Sequence, residues 1–301
     1  MSVVIGLLGT CLLLGVLARH SGKFAPGAAG AFNTFILYVA LPALVLRVMH
    51  RLEFVPSLIV AAVVPWLYFL AAGPFFRLLG PRLGLSRHSV TALVLTAGLG
   101  NTAFVGLPMA EALLGQGGLA VAVVADQLGS FLVLSTLATV AATRASAEKE
   151  LPWSVLARKV ATFPPFVALV VSLALRPWGF PVWVDTVLER LGSLLTPLAL
   201  FSVGLQLRLT GVSHRIPALA LGLSYKLLLV PGLVALGLLA APGLAPMVVQ
   251  ATVLQSAMAP MVSAAILAAE HELDPELAVL MVGVGIPLSF ATALGWFWVV
   301  R

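Results

Sequence analysis

Two short stretches carry the residues that could do chemistry. In "GLGNTAFVGLPM", Gly98 to Met109, Asn101 and Thr102 stand among Gly98, Gly100, Gly106 and Pro108. In "QSAMAPM", Gln255 to Met261, Gln255 and Ser256 precede Pro260. Each stretch sets a carboxamide beside a hydroxyl. Such a pair donates and accepts hydrogen bonds without net charge, so it can orient a carboxylate. Glycine and proline weaken a helix from within. An interrupted helix exposes free N–H groups, and their partial positive charge attracts anions. Asn101, Thr102, Gln255 and Ser256 are therefore candidate substrate ligands. Gly100, Gly106, Pro108 and Pro260 are the candidate helix breakers. Singly, a proline is only a kink, and an Asn or Gln an interhelical hydrogen bond of about 1 kcal/mol. Their coincidence in two places favours a site.

Ionisable groups inside apolar runs are the next candidates, because they are expensive there. Asp126 lies between "VAVVA" and "QLGSF", and Lys226 lies in "SYKLLLVPG". The two could form a buried ion pair. Alternatively, Asp126 could carry a coupling proton, and Lys226 could neutralise an anionic substrate. Glu111 is expected to be wet. Arg47 is expected to snorkel to the headgroups, the alternative being an anion attractor at the mouth.

Enzyme chemistry finds no support. "HELDP" begins as HExxH would at His271, but position 275 is proline, so the second zinc ligand is missing. An aspartyl protease needs two membrane carboxylates, and only Asp126 is deep. "GLGNTA" lacks the strand that a dinucleotide fingerprint follows. No ring of charges or repeated filter suggests a channel. No catalytic residue, metal ligand or cofactor is expected. The coupling ion, where there is one, would be H+ or Na+.

The elements that hold these residues are membrane spans. Hydrophobic residues make up 61% of the 301, and charged residues 9%, against roughly 25% in a soluble domain. Apolar runs of about 20 residues recur, the length needed to cross a bilayer core. Ten spans are expected, near 3–18, 31–50, 55–79, 89–114, 118–141, 155–176, 182–207, 215–240, 244–269 and 275–300. The first has no basic residues before it and is expected to be a retained helix, not a signal peptide. Cys11 is the only cysteine, so no intrachain disulfide can form. Of the 17 Lys and Arg, 11 fall in the loops after odd-numbered spans, five on the opposite side, and Lys226 within a span. The positive-inside rule then puts the central loop in the cytoplasm and both termini outside, in the cell (inner) membrane. The net charge of +6 reports that orientation, and no nucleic-acid partner is expected.

The chain divides into halves of five spans, 1–145 and 155–301, joined by a short cytoplasmic linker, 146–154. An odd number of spans inverts the second half. "YVALPALVLRV" matches "LLTPLALFSVGLQL" through Pro42 and Pro197, and "GNTAFVG" matches "QSAMAPM", at an offset of about 155 residues. Inverted-repeat transporters pair broken helices at the midplane in this way.

"GLGNTAFVGLPM", "LYVALPALVLR", "TPLALFSVGLQL", "YKLLLVPGL" and "QSAMAPMVSAAILA" together resemble the auxin efflux carrier family, in order and over nearly the whole chain. The resemblance implies an all-α membrane protein of ten helices in two inverted repeats, like sodium/proton antiporters and bile-acid transporters. It implies broken crossing helices in spans four and nine. It also implies a scaffold of spans 1, 2, 6 and 7, through which a homodimer could form, beside a bundle of spans 3–5 and 8–10. The family's crossover residues would fall on Asn101, Pro108, Gln255 and Pro260. The expected function is secondary transport of a small organic anion, an auxin-like acid or dicarboxylate, by alternating access. The alternatives are an ion-coupled symporter or antiporter, and a receptor that does not transport. Two departures stand out. The central loop is about a dozen residues, far shorter than in the plant carriers. Pro108 follows Asn101 by seven residues, whereas Pro260 follows Gln255 by five, so the two breaks need not match in shape.

Overall fold

The computed structural model describes residues 2–25, 27–53, 55–146, 152–207 and 212–301. Among them, regular structure is helical apart from one isolated antiparallel bridge between Gly100 and Pro260. Most of the expected linker, 147–151, lies outside the described residues, as do Lys149 and Arg208 of the charge count.

Helix α1 is Ser2–His20, followed by α2 (Ala28–His50) and α3 (Leu58–Leu83). Helix α4, Arg87–Ala97, stops at a break, and α5, Thr102–Ala145, resumes after it. Helices α6 (Trp153–Ala161) and α7 (Pro164–Ala174) meet at a 65° bend. Then come α8 (Val182–Gln206) and α9 (Ile216–Ala240). Helices α10 (Pro246–Ser256) and α11 (Val262–Glu270) flank a second break, and α12 is Pro275–Val299. The starts follow local chemistry. Ser86 caps α4 by accepting from Ser89 N, and Asp274 caps α12 by accepting from Leu277 N. Prolines, whose missing N–H is not needed at a helix start, open α7, α10 and α12.

Six helices among the described residues, α2, α3, α5, α8, α9 and α12, are long and apolar enough to cross a bilayer, or seven if the bent α6–α7 pair is one span. Length alone therefore does not give the ten spans expected. The breaks are the reason. Helices α4, α10 and α11 have 11, 11 and 9 residues. At 1.5 Å per residue each covers about 14–17 Å, half of a core roughly 30 Å thick. Conversely, α5 runs for 44 residues with one interruption. At Gly115 the backbone takes φ 67° and ψ −161°, a region open essentially to glycine alone.

Gly106 and Pro108 are not at the break, contrary to expectation. The interruption is at 98–101, and both residues lie inside α5, just after it. Pro108 cannot bond the carbonyl four residues back and would clash with it. The preceding turn, Thr102–Gly106, widens to an i→i+5 pattern that relieves this. The same wide turn precedes Pro42 and Pro231, at Ile36–Ala40 and Tyr225–Leu229. In the last case the freed Leu227 carbonyl accepts the Trp296 indole at 2.9 Å. A fourth wide turn, Ala125–Ser130, holds Asp126, and its Leu128 carbonyl accepts Trp66 Nε1 at 2.9 Å.

The helices pack in two groups. Helix α1 lies along the second half of α8, and α2 packs on α7 and on the first half of α8. Helices α3, α4, α5 and α9 to α12 pack mainly on one another. In the first group α1 and α8 nearly touch, since a Cβ placed on Gly204 would lie 2.9 Å from Gly15 Cα. Small residues allow such close approach in membranes. Gly204→Val should therefore cost about 1–3 kcal/mol through overpacking. Thermal unfolding in detergent reads this as a lower midpoint; an unchanged midpoint would mean that the helices part freely.

Candidate functional site

The two breaks cross. Asn101 N donates to Ala259 O at 2.8 Å, and Met261 N donates to Leu99 O at 3.2 Å. Each break thereby satisfies backbone groups that the other releases, which is obligatory away from water. Pro260 packs against Gly285 of α12, where a Cβ would collide with its ring. Four helix ends converge at this crossing: the C-termini of α4 and α10, and the N-termini of α5 and α11.

The two N-termini share a cavity of about 90 Å³. Asn101, Ala103 and Phe104 line it from the α5 side, Met261 and Ser263 from the α11 side, and Asp126 from further along α5. Asn101 Oδ1 caps α5 by accepting from Phe104 N at 3.3 Å. That bond orients the amide and leaves Nδ2 as a buried donor with no hydrogen-bond partner. An unmet buried donor costs about 1–3 kcal/mol. Met261 begins α11 with no side-chain cap at all. The cavity thus offers an unfilled amide donor and two positive helix ends beside the Asp126 carboxylate.

Asp126 lies beside these donors. Its Oδ1 accepts from Thr102 Oγ1 at 2.6 Å, and its Oδ2 accepts from Gln127 Nε2 at 2.7 Å. Thr102 therefore acts through Asp126.

The carbonyl ends face a different group. Lys226 is fully buried, and its Nζ donates to Ser256 O at 2.9 Å. The ammonium sits 4.3 Å from the centroid of the Tyr68 ring. A Cβ built on Gly100 would lie only 3.1 Å from Nζ. The C-termini of α4 and α10 carry partial negative charge, which Lys226 would offset when protonated. Two sequence expectations change here. Lys226 is not among the residues lining the cavity with Asn101. It also forms no ion pair with Asp126, whose oxygens are taken by Thr102 and Gln127.

Gln255 and Ser256 lie on this second side as well. Gln255 Nε2 reaches Ala122 O at 3.3 Å and Thr102 O at 3.5 Å, tying α10 to α5. Its Oε1 lies against Gly106 without a partner, and a Cβ on Gly106 would strike the amide. Ser256 Oγ donates back to Val253 O at 2.7 Å. Of the candidate ligands, then, Asn101 lines the cavity, Thr102 holds Asp126, and Gln255, Ser256 and Lys226 build the crossing behind it.

The outer candidates resolve simply. Glu111 is exposed and accepts from Thr196 Oγ1 at 3.2 Å. Arg47 pairs with Asp185 and Glu189, each at 3.2 Å, where α8 passes beside it. Residues that sequence reasoning missed are Met261 and Ser263 at the start of α11, Tyr68 under Lys226, and Phe131 and Phe163 at the cavity wall. The helix start after Pro260 was a usable signal for the first two. Phe163 precedes the pair Pro164–Pro165, another start signal. Nothing local marks Tyr68 or Phe131.

Bilayer-length apolar helices, with two broken helices crossing beside a mainly apolar cavity that Asn101, Asp126 and Ser263 also line, define a multi-pass membrane protein. The chain belongs to the membrane transport protein family, whose pattern matches residues 4–297 and which is the auxin-efflux-carrier-like group. It is 25% identical over 288 residues to an "Uncharacterized transporter" of Methanothermobacter thermautotrophicus, covering 95% of this chain and 93% of that one. It is 26% identical over 314 residues to a "Putative malonate transporter" of Rhizobium meliloti, covering 98% and 93%. The family and these relatives are transporters, not enzymes.

Proposed function

We propose that the protein is a secondary transporter for a small organic anion, with the carboxylate held in the crossover cavity. The observation that carries this is the unpartnered Asn101 Nδ2, buried where two helix N-termini converge. The two helix ends favour an anion there, most strongly once the Asp126 carboxyl in the same cavity is neutral. The malonate in the name of the Rhizobium relative points to the same class of ligand.

Ten passes follow if each broken pair counts as one span, α5 divides at Gly115, and α1 and the bent α6–α7 pair each cross once. The inverted repeat then pairs the break at 98–101 with that at 257–261. The α1, α2, α7, α8 group serves as scaffold, and the group bearing the cavity moves against it in alternating access. The packing described above supports this division.

Uptake of labelled mono- and dicarboxylates into proteoliposomes tests the function. Saturable uptake and counterflow are expected. Preference for amines or neutral sugars would overturn the anion reading, and binding without flux would make the protein a receptor.

Asp126 supplies the coupling. Its carboxylate and a bound anion share one small cavity, so neutralising Asp126 with a proton favours loading. Acid on the loading side should then raise wild-type uptake, while Asp126→Asn should transport without that stimulation. Uptake driven equally by a sodium gradient at constant pH would assign coupling to Na+ instead.

Orientation has its own test. A single cysteine at Ser2 or Arg301, in a Cys11→Ser background, should react with impermeant reagent from outside. Reaction only from the cytoplasmic side would reverse the topology.

A further inference from the structure

The crossover cavity adjoins a second hollow at a boundary that includes a stacked pair of rings. The second hollow, of about 230 Å³, shares Phe131, Leu134, Phe163 and Ser263 with the cavity. Farther out it is bordered by Lys159 and Glu270, both exposed. At the shared boundary Phe131 and Phe163 stack, with centroids 3.9 Å apart and planes 15° from parallel. Phe131 lies on α5, five residues beyond Asp126. Phe163 lies in the bend between α6 and α7, where Pro164 and Pro165 follow it. The two rings thus belong to separate packing groups. The opposite face differs. Its hollow, of about 480 Å³, contains Arg47 and Arg51 and shares no lining residue with the crossover cavity.

We propose that the Phe131–Phe163 stack is the gate of the crossover cavity on the Lys159 face, opening when α5 shifts past the bend that carries Phe163. This rests on the cavity being the substrate site. A stack of two rings is weak enough to break in every cycle and large enough to close a cavity of this size. Its place at the seam of the two groups means that their relative movement must separate the rings. Lys159 and Glu270 both border the approach, so it carries one charge of each sign.

Cysteine reactivity tests the gate without any substrate. Ala103 lines the crossover cavity but not the outer hollow. In a Cys11→Ser background, Ala103→Cys should react slowly with a charged methanethiosulfonate added from the Lys159 face. Adding Phe163→Ala should speed the reaction at least tenfold, and Phe131→Ala should do the same, while Phe163→Tyr should leave it slow. Thermal midpoints and size-exclusion profiles select the variants that remain folded; Phe163, at a half-exposed bend, should tolerate truncation. Unchanged labelling rates in folded Phe163→Ala would overturn the gate. A second arm uses Phe131→Cys with Phe163→Cys. Oxidation to the disulfide should stop flux and reductant should restore it; full flux in the oxidised protein would also overturn the gate. Absence of flux for every carboxylate would sink the anion-carrier reading instead, and the labelling result would stand apart from it.

Discussion

Replacing Asn101 by Asp is expected to leave a folded protein whose carboxylate transport falls by about 10- to 150-fold. Asp keeps an oxygen where Oδ1 accepts from Phe104 N, and a carboxylate is a good N-cap at the positive end of a helix. The donor at Nδ2 is lost, and negative charge appears where the anion should sit. A hydrogen bond to a charged group contributes about 1.5–3 kcal/mol, which at 1.4 kcal/mol per tenfold gives that range. Asn101→Ala should lose transport too, but with about 1 kcal/mol of stability as well, because the cap goes with it. Flux per folded molecule, measured beside thermal midpoints, separates the two variants. Wild-type flux in Asn101→Asp would detach Asn101 from the substrate.

The contrast between those variants shows what the sequence made legible. Asn101 was readable because a carboxamide among glycines in an apolar run has few purely structural explanations. The pairing with Gln255 and Pro260 was readable from order and spacing. Which face of the crossing each residue serves was not. A broken helix has two ends of opposite sign, and sequence does not say which end a neighbouring side chain meets. Lys226 is the clearest case: it looked like a ligand for an anion, yet it sits on the carbonyl ends. Pro108 looked like the break, but a wide turn absorbs it, and the break falls seven residues earlier where Leu99 and Asn101 find partners on the other chain segment. Contacts such as Phe131 on Phe163 join distant segments, so no local pattern announces them.

Lys226→Met should weaken monocarboxylates and dicarboxylates by the same factor. Before its surroundings are known, a buried lysine near a carboxylate site suggests the opposite, since a second carboxylate would feel the loss more. The geometry decides between the two. Lys226 Nζ donates to Ser256 O, faces the Tyr68 ring, and lies off the wall of the cavity that Asn101 lines. Its removal therefore acts on the crossing, not on the ligand. Met fills much of the same volume but leaves the Ser256 carbonyl without the ammonium, a loss of about 1.5–3 kcal/mol for a charged hydrogen bond. The C-termini of α4 and α10 then oppose each other with less compensation. A lower thermal midpoint should accompany the drop in flux. Gly100→Ala should act in the same direction more weakly, because the added Cβ presses on the ammonium from 3.1 Å. A dicarboxylate weakened tenfold more than the matching monocarboxylate would show that Lys226 reaches the substrate. Equal factors with a lowered midpoint would fix it as the counter-charge that lets two helix C-termini meet inside a membrane.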